Sequence, residues 1–168
     1  MGNIIFVTGI HGVGKTTYCK KLSEKLKLPH FSASDIIRSQ LSTTITSNSK
    51  NVKNAEKNQD ILLQGIEALN LKNKEIILDG HFVLMQNKKV QRLPLSTYQE
   101  LGIKEIILLK DTPEKIYKRQ LSRDKKSEFT ISFMDEMQKE EINYAEEVSK
   151  LLDIELKIVS VVEIDTTK

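Results

Sequence analysis

One short motif near the start of the chain constrains its fold more than any other feature. Residues 9–16 read Gly-Ile-His-Gly-Val-Gly-Lys-Thr and match the pattern G-x-x-x-x-G-K-[ST] at every required position. The motif stands between a β-branched and aromatic run at residues 3–8 and a helical pattern that begins at Lys15. Glycines allow such a loop to curl so that its N–H groups point inward at phosphate oxygens. The sequence therefore predicts a phosphate-binding loop between a strand and a helix.

The residue types in this loop indicate ATP and Mg²⁺ as the ligands. Lys15 supplies a cation for the β- and γ-phosphates, the Thr16 hydroxyl is suited to ligate Mg²⁺, and the helix N-terminus favours an anion. His11 occupies an unrestricted position, from which its ring could lie near the phosphates. The residues predicted to contact ATP are Gly9, His11, Gly12, Val13, Gly14, Lys15, Thr16 and Thr17.

Short apolar runs alternate with longer helical patterns along the rest of the chain, which is typical of βαβ units. We predict an α/β fold of three layers with a five-stranded parallel sheet in the order 2-3-1-4-5, and ATP at its C-terminal edge. Residues 1–168 form a single domain, with an insert at about 34–70 and a short lid at about 119–131. Residues 42–54 are predicted to form a mobile loop, residues 82–94 an irregular basic segment, and residues 154–164 the last strand.

An acid at the end of a predicted buried strand is the second candidate for the Mg²⁺ site. Asp79 follows the apolar run at residues 75–78, where a P-loop fold places the acid that holds Mg²⁺. The alternative is an acid that caps the next turn. The guanine-reading pattern N-K-x-D is missing from the sequence, and a motor or AAA-type ATPase needs a larger core and an arginine from a neighbour. Several arginines within the one chain instead favour a kinase, because bidentate arginines neutralise a transferring phosphoryl group.

Four blocks of sequence resemble the adenylate kinase group of nucleoside monophosphate kinases, the archaeal and the atypical nuclear adenylate kinases in particular. They are the phosphate loop at residues 9–17, Ser-Asp-Ile-Ile-Arg at 34–38, Leu-Asp-Gly-His at 78–81, and Arg-Gln-Leu-Ser-Arg-Asp at 119–124. The resemblance implies roles that the residues alone do not establish. The residues assigned to the acceptor are Asp35, Arg38, His81 and Arg92, and those that stabilise the transferring phosphoryl group are Lys15, Arg119 and Arg123.

The sequence also departs from this group in three places. Common adenylate kinases carry D-G-F-P-R after the third strand, whereas this chain has Phe-Val-Leu at residues 82–84. The lid is short and contains no cysteine. The group usually adds a terminal helix after the segment at residues 163–166, so that helix is either dispensed with here or missing from this copy. The identity of the acceptor therefore stays open, with AMP or a related NMP or dNMP as the first expectation.

Bulk properties point to an ordinary domain with a small-molecule partner. The formal net charge of +3 and the low aromatic content give no reason to expect nucleic acid, and no segment approaches the length of a membrane span. Cys19 is the single cysteine, and no signal peptide or lipidation motif is recognisable, so we expect a cytoplasmic protein. A monomer or a small homo-oligomer fits these properties.

Two other functions remain open from the sequence. One is a P-loop kinase whose acceptor is a small non-nucleotide hydroxyl compound, as in shikimate or gluconate kinases. The other is a nucleotide-dependent ATPase switch or assembly factor that acts on a protein or RNA partner.

Overall fold

The structure is a computed structural model that describes residues 2–43, 55–71, 73–124 and 130–161. Its strands are β1 (Ile4–Thr8), β2 (His30–Ser32), β3 (Ile76–Gly80), β4 (Val83–Gln86), β5 (Lys89–Arg92), β6 (Ile103–Lys110) and β7 (Glu155–Ser160). Its helices are α1 (Lys15–Leu26), α2 (Ala33–Thr43), α3 (Ala55–Ala68), α4 (Leu95–Leu101), α5 (Pro113–Asp124) and α6 (Ile131–Leu152).

Five strands form one parallel sheet in the order β2-β3-β1-β6-β7. The predicted α/β class with a five-stranded parallel sheet is confirmed. The strand numbers differ from the predicted 2-3-1-4-5 because a separate two-stranded hairpin, β4–β5, intervenes in the chain. All carboxyl ends of a parallel sheet lie at one edge, so the segments that follow β1, β3 and β6 meet there.

Both faces of the sheet are buried, which explains why its central strands read as continuous apolar runs. Phe6 and Leu78 belong to a core that packs against α2, α3, α4 and the C-terminal half of α6. Val7 and Ile77 belong to a second core, against α1, α5 and the start of α6. Alternate residues of one strand therefore face opposite helical layers, as the two-residue period of a strand requires.

The apolar periodicity of the sequence matches burial along α1 and α3 except at their C-terminal ends. Helix α1 ends at Leu26, where Lys27 adopts a left-handed conformation two residues before Pro29. Leu26 and Leu69 continue the apolar stripes of these helices in the sequence, but they are 42% and 44% exposed. Both residues lie at or beyond the last turn of a helix, where the chain turns away and the helical period no longer predicts burial. Most of the predicted loop at 42–54, much of the lid and the end of the last strand lie outside the described residues.

The prediction of an irregular segment at residues 82–94 is wrong. Strands β4 and β5 pair antiparallel, with Met85 opposite Val90, and Asn87 and Lys88 form the turn with φ of 55° and 63°. Two consecutive positive φ values define the type I′ turn that matches strand twist, and the usual sequence for it is Asn-Gly. A lysine in the second turn position hid this signal. The sequence analysis also missed α4, which follows Pro94 and ends at Leu101, with Gly102 as its C-cap.

Among the residues that the structure describes, none of the helices combines the length and the apolar character that crossing a bilayer requires.

Candidate functional site

The predicted phosphate loop connects β1 to α1 and is built by its glycines. Gly12 and Gly14 have φ of 93° and 106°, a region that side-chain-bearing residues rarely adopt. Gly14 also caps α1 without a side chain, which leaves the first N–H groups of the helix free of side-chain caps. The loop therefore presents N–H donors and the positive end of a helix to the same space.

Lys15 opens α1, and its ammonium group lies against the segment that follows β3. Its Nζ donates to the Gly80 carbonyl at 3.1 Å and lies 3.1–3.2 Å from both ring nitrogens of His81. Burial lowers the pKa of Lys15 to about 8, and the charges of Asp79 and Glu141 partly oppose that shift. An anion bound in the loop would raise the pKa of Lys15 again, because it supplies a counter-charge where burial has removed water.

His81 connects this lysine to the phosphate loop. Its Nδ1 lies 3.0 Å from the Gly9 carbonyl, which can only accept a hydrogen bond. Nδ1 therefore carries the proton, and Nε2 is the nitrogen that accepts from Lys15 at 3.2 Å. Burial, and then the charge of Lys15, holds the pKa of His81 well below its usual range, so the ring is neutral. A neutral imidazole accepts a hydrogen bond from Lys15 and carries no positive charge of its own that would attract a phosphate.

Asp79, the predicted Mg²⁺ ligand, ends β3 beside the first turns of α1. Its Oδ2 accepts from His30 Nε2 at 2.5 Å, and the Cys19 thiol of α1 lies close to both groups. His30 belongs to β2 and was not singled out from the sequence. Its relevance becomes visible through the pairing of β2 with β3, which places it beside Asp79. The hydrogen bond from His30 holds the Asp79 carboxylate in a fixed orientation.

Glu141 is a second functional candidate that the sequence analysis missed. It lies on α6, is 1% exposed, and accepts hydrogen bonds from the Thr8 hydroxyl and from the N–H groups of Phe82 and Val83 at 3.1 and 2.8 Å. Burial raises its pKa, and these hydrogen bonds oppose the shift. One buried carboxylate thus ties the end of β1 to the segment carrying His81.

Helix α5 covers the outer side of the phosphate loop with two of the predicted arginines. The Arg119 guanidinium donates to the Asp111 carboxylate and to the carbonyls of Gly12 and Val13 at 3.2 and 3.3 Å. Arg123 donates to His11 Nε2 at 3.1 Å. The two arginines and the loop enclose a cavity of about 270 Å³. Its lining residues are His11, Gly12, Gly14, Lys15, Thr16, Thr17, Arg119 and Arg123.

A second cavity of about 330 Å³ lies against Asp79 and His81, between α2, α3, α4 and the hairpin. Its apolar lining residues are Phe6, Ala33, Ile37, Leu62, Leu84, Leu93, Tyr98 and Leu101, and its polar ones are Ser34, Arg38, Asn58, Gln59, Asp79 and His81. Asn58 Oδ1 is buried and accepts no hydrogen bond from the part of the chain that the structure describes. A bound molecule with a donor group would satisfy it.

The four residues predicted for the acceptor occupy different places. His81 and Arg38 line this second cavity, Arg38 at its rim with a side chain 73% exposed. Asp35 lies outside the lining and accepts from Arg38 at 2.6 Å. Arg92 is not brought to either cavity. Its guanidinium is bound by Glu140 and Glu147 of α6 and stacks 4.8 Å from the centre of the Tyr144 ring, and these contacts give no support to its assignment to the acceptor.

Comparison with known proteins agrees with this architecture. A family model described as an AAA domain (AAA_17) matches residues 8–138. A shikimate kinase from Bacteroides thetaiotaomicron aligns with a TM-score of 0.52 and 14% identity, over 88% of this chain and 77% of that chain. An uncharacterized protein from Eubacterium ventriosum ATCC 27560 aligns with a TM-score of 0.52 and 12% identity, over 99% and 94%. A gluconokinase from Sinorhizobium meliloti 1021 aligns with a TM-score of 0.49 and 15% identity, over 95% and 82%. No curated protein matches the sequence significantly.

The family match extends from the end of β1 to the first turns of α6. It therefore includes the phosphate loop and the residues that line the cavity beside it. The description of this family as an AAA domain differs from the expectation that the protein is not an AAA-type ATPase. That expectation was based on arginines within the one chain, and Arg119 and Arg123 of α5 do contact the loop. At these identities the two structures with a TM-score of 0.52 support the fold alone, and they do not test the resemblance to the adenylate kinase group. With its phosphate loop, its buried acid near the end of β3 and its five-stranded parallel sheet, the chain belongs to the AAA domain family and has the fold of the P-loop kinases.

Proposed function

We propose that the protein is an ATP- and Mg²⁺-dependent phosphotransferase whose acceptor is a nucleoside monophosphate. The observation that carries the proposal is a pair of cavities, one lined by Lys15 and the other by His81, whose side chains lie 3.1–3.2 Å apart. One is lined by cations and loop N–H groups and suits a triphosphate. The other is largely apolar and suits a ring system. Transfer between two such sites needs positioning and charge neutralisation more than covalent chemistry by the protein.

On the donor side, the phosphate loop and Lys15 bind the β- and γ-phosphates, and Thr16 and Asp79 hold Mg²⁺, which neutralises charge on the phosphates. His30 fixes the Asp79 carboxylate through its hydrogen bond of 2.5 Å. Arg119 already contacts two carbonyls of the loop, and Arg123 lies beside His11. Both guanidinium groups are therefore close enough to interact with the transferring phosphoryl group, where a charge preorganised by the fold is most effective.

On the acceptor side, the cavity favours a nucleoside over a polyol. An apolar lining that includes Phe6 and Tyr98 would gain little from a polyhydroxylated acid, whose hydroxyls need polar partners when buried. A flat base instead buries its faces against such walls, and its N–H groups find Asn58 Oδ1, which has no partner of its own among the described residues. Arg38 at the rim is placed for the single phosphate of a nucleoside monophosphate.

A small hydroxyl acid is the second candidate acceptor. Among the described residues, Arg38 is the cationic one in the lining of the second cavity, and one guanidinium binds a carboxylate as well as a phosphate. The volume of about 330 Å³ lies at the lower end of the roughly 300–1,000 Å³ of small-molecule sites, so a compact acid also fits. The likeness to a shikimate kinase belongs to the fold and gives this candidate no further weight.

The test is ADP formation from ATP and Mg²⁺ with AMP, CMP, UMP, GMP, the dNMPs, shikimate and gluconate offered in turn. We expect strong stimulation by one monophosphate and appearance of the matching diphosphate. Stimulation by shikimate or gluconate would transfer the assignment to the second candidate. Slow ADP release that no acceptor changes would contradict both and favour a nucleotide-driven switch.

Variants of Asn58 make the test specific to the acceptor cavity. Asn58→Leu removes the unpaired oxygen at nearly constant volume, whereas Asn58→Asp keeps an acceptor at that position. We expect the leucine variant to raise KM for the preferred monophosphate about ten-fold, with KM for ATP unchanged, and the aspartate variant to raise it less. Equal KM values in all three proteins would remove Asn58 from base recognition.

A further inference from the structure

Three side chains with metal-binding chemistry meet beneath the phosphate loop, and each comes from a different element. They are the Cys19 thiol of α1, the His30 imidazole of β2 and the Asp79 carboxylate of β3, and one ligand atom from each lies within 4.8 Å of the other two. Cys19 is fully buried, and the side chains of His30 and Asp79 are 18% and 12% exposed. Parallel pairing of β2 with β3 and packing of α1 across them hold the three groups together.

We propose that Cys19, His30 and Asp79 form a binding site for a divalent transition metal ion of the zinc class, distinct in its chemistry from the Mg²⁺ site. Zn²⁺ takes sulfur, imidazole and carboxylate ligands at about 2.0–2.3 Å in a tetrahedron, which places the ligand atoms about 3.4–3.6 Å apart. The pair His30 Nε2 and Asp79 Oδ2, now 2.5 Å apart, would separate by about 1 Å, and the widest pair would close by a similar amount. Side-chain rotations cover such shifts, and water completes the fourth position.

Charge balance favours a divalent ion at this place. Burial raises the pKa of the Cys19 thiol to about 12, so the free thiol is protonated. On binding, the S–H bond breaks, the sulfur bonds the metal, and the proton leaves to the buffer. One thiolate, one carboxylate and a neutral imidazole then balance a 2+ ion, so the site carries no net charge in a poorly hydrated region. Mg²⁺ prefers oxygen ligands and gains nothing from the thiolate, which separates the two ions by chemistry.

Lys15 and Asp79 link this site to the nucleotide site. The charge of Lys15 acts on both Asp79 and Cys19, so its ammonium group opposes a second cation nearby. A bound zinc-class ion also occupies the carboxylate that the proposed function assigns to Mg²⁺. We therefore expect Zn²⁺ to inhibit the activity even when Mg²⁺ is saturating. Binding itself does not depend on the proposed function, and only the inhibition does.

Absorption spectroscopy with Co²⁺ tests the binding on the full chain without nucleotide. A Co²⁺–thiolate bond produces an intense charge-transfer band, and because Cys19 is the single cysteine of the sequence, any such band identifies it. We expect one equivalent of Co²⁺ to produce the band and one equivalent of Zn²⁺ to abolish it. Absence of the band at saturating Co²⁺, with the fold intact by circular dichroism, would overturn the proposal.

Variants assign the other ligands and control for surface binding. His30→Gln can still donate to Asp79 but offers no imidazole, so we expect it to weaken Zn²⁺ affinity at least ten-fold in a chelator competition. His11→Gln removes an exposed histidine outside the cluster and should leave the affinity unchanged. Equal affinity in wild type and His30→Gln would refute the cluster as the site. If Cys19→Ala folds, it should give no Co²⁺ charge-transfer band. Zn²⁺ should also no longer lower its activity below the rate that the same variant shows without Zn²⁺.

Discussion

Replacement of Lys15 by methionine should stabilise the protein in the absence of nucleotide while it removes the proposed activity. The structure holds the Lys15 ammonium in a largely buried place, where burial lowers its pKa from 10.5 to about 8. At about 1.4 kcal/mol per pKa unit, this difference means that the buried ammonium group lowers the free energy of unfolding by about 3 kcal/mol at pH 7. The contributions of Asp79 and Glu141 are already contained in that pKa, so the estimate is a net value.

The pH dependence of this gain identifies its cause. Between about pH 8 and about pH 10.5 the unfolded chain keeps the Lys15 proton and the folded protein loses it, so the wild type gains stability as the pH rises. The difference between Lys15→Met and wild type should be largest at pH 7 and shrink towards zero near pH 10.5. Urea denaturation of both proteins at several pH values measures it.

The matched control is Lys20→Met, which changes an exposed lysine on the same helix and should alter stability by less than about 0.5 kcal/mol. If Lys15→Met is no more stable than the wild type at pH 7 without nucleotide, burial of the Lys15 charge does not destabilise the protein, and this account is refuted. A gain that does not change with pH would also refute it, because burial of a charge would then not be the cause.

Three further predictions concern side chains away from Lys15. Glu141→Ala leaves two N–H groups and a hydroxyl without their acceptor and should cost about 3 kcal/mol or more in urea denaturation. Glu140→Ala, at the neighbouring and partly exposed position, should cost under about 1 kcal/mol, and similar losses in the two variants would contradict the role given to burial. Arg92→Ala breaks only surface ion pairs and a ring contact, so KM for the acceptor should stay unchanged, and a rise would return Arg92 to the acceptor site. Arg123→Ala should lower kcat more than ATP affinity. Arg119→Ala leaves the buried Asp111 carboxylate without its ion-pair partner and should therefore also lower the midpoint of thermal unfolding. An equal fall of that midpoint in both variants would contradict this division.

Much of the fold follows from local sequence signals. The run at residues 3–8 is β-branched and apolar without alternation, and only a strand covered on both faces accommodates that pattern. Pro29 and the pair Thr112-Pro113 mark helix boundaries that the structure reproduces. The hairpin after β3 could not be predicted in this way, because Lys88 takes a positive φ that the turn requires and that its side chain does not favour.

The site was predictable where one motif contains the whole signal and unpredictable where the chemistry depends on distant packing. The residues of the phosphate loop lie together because they are consecutive. Glu141 shares the inward face of α6 with Met134 and Val148, one heptad away on either side, and a charged residue at such a position was a signal that could have been used. His30 offered no comparable signal, since its importance arises from the pairing of β2 with β3.

Transfer of a labelled phosphate tests the central claim most directly. The protein is incubated with Mg²⁺ and ATP labelled at the γ-phosphate, together with the monophosphate that best stimulates ADP formation, and the labelled products are separated. The account predicts that the label moves into the matching diphosphate and that Lys15→Met, although folded, transfers none. Label found solely in inorganic phosphate, whatever monophosphate is present, would contradict the claim that this site is a phosphotransferase.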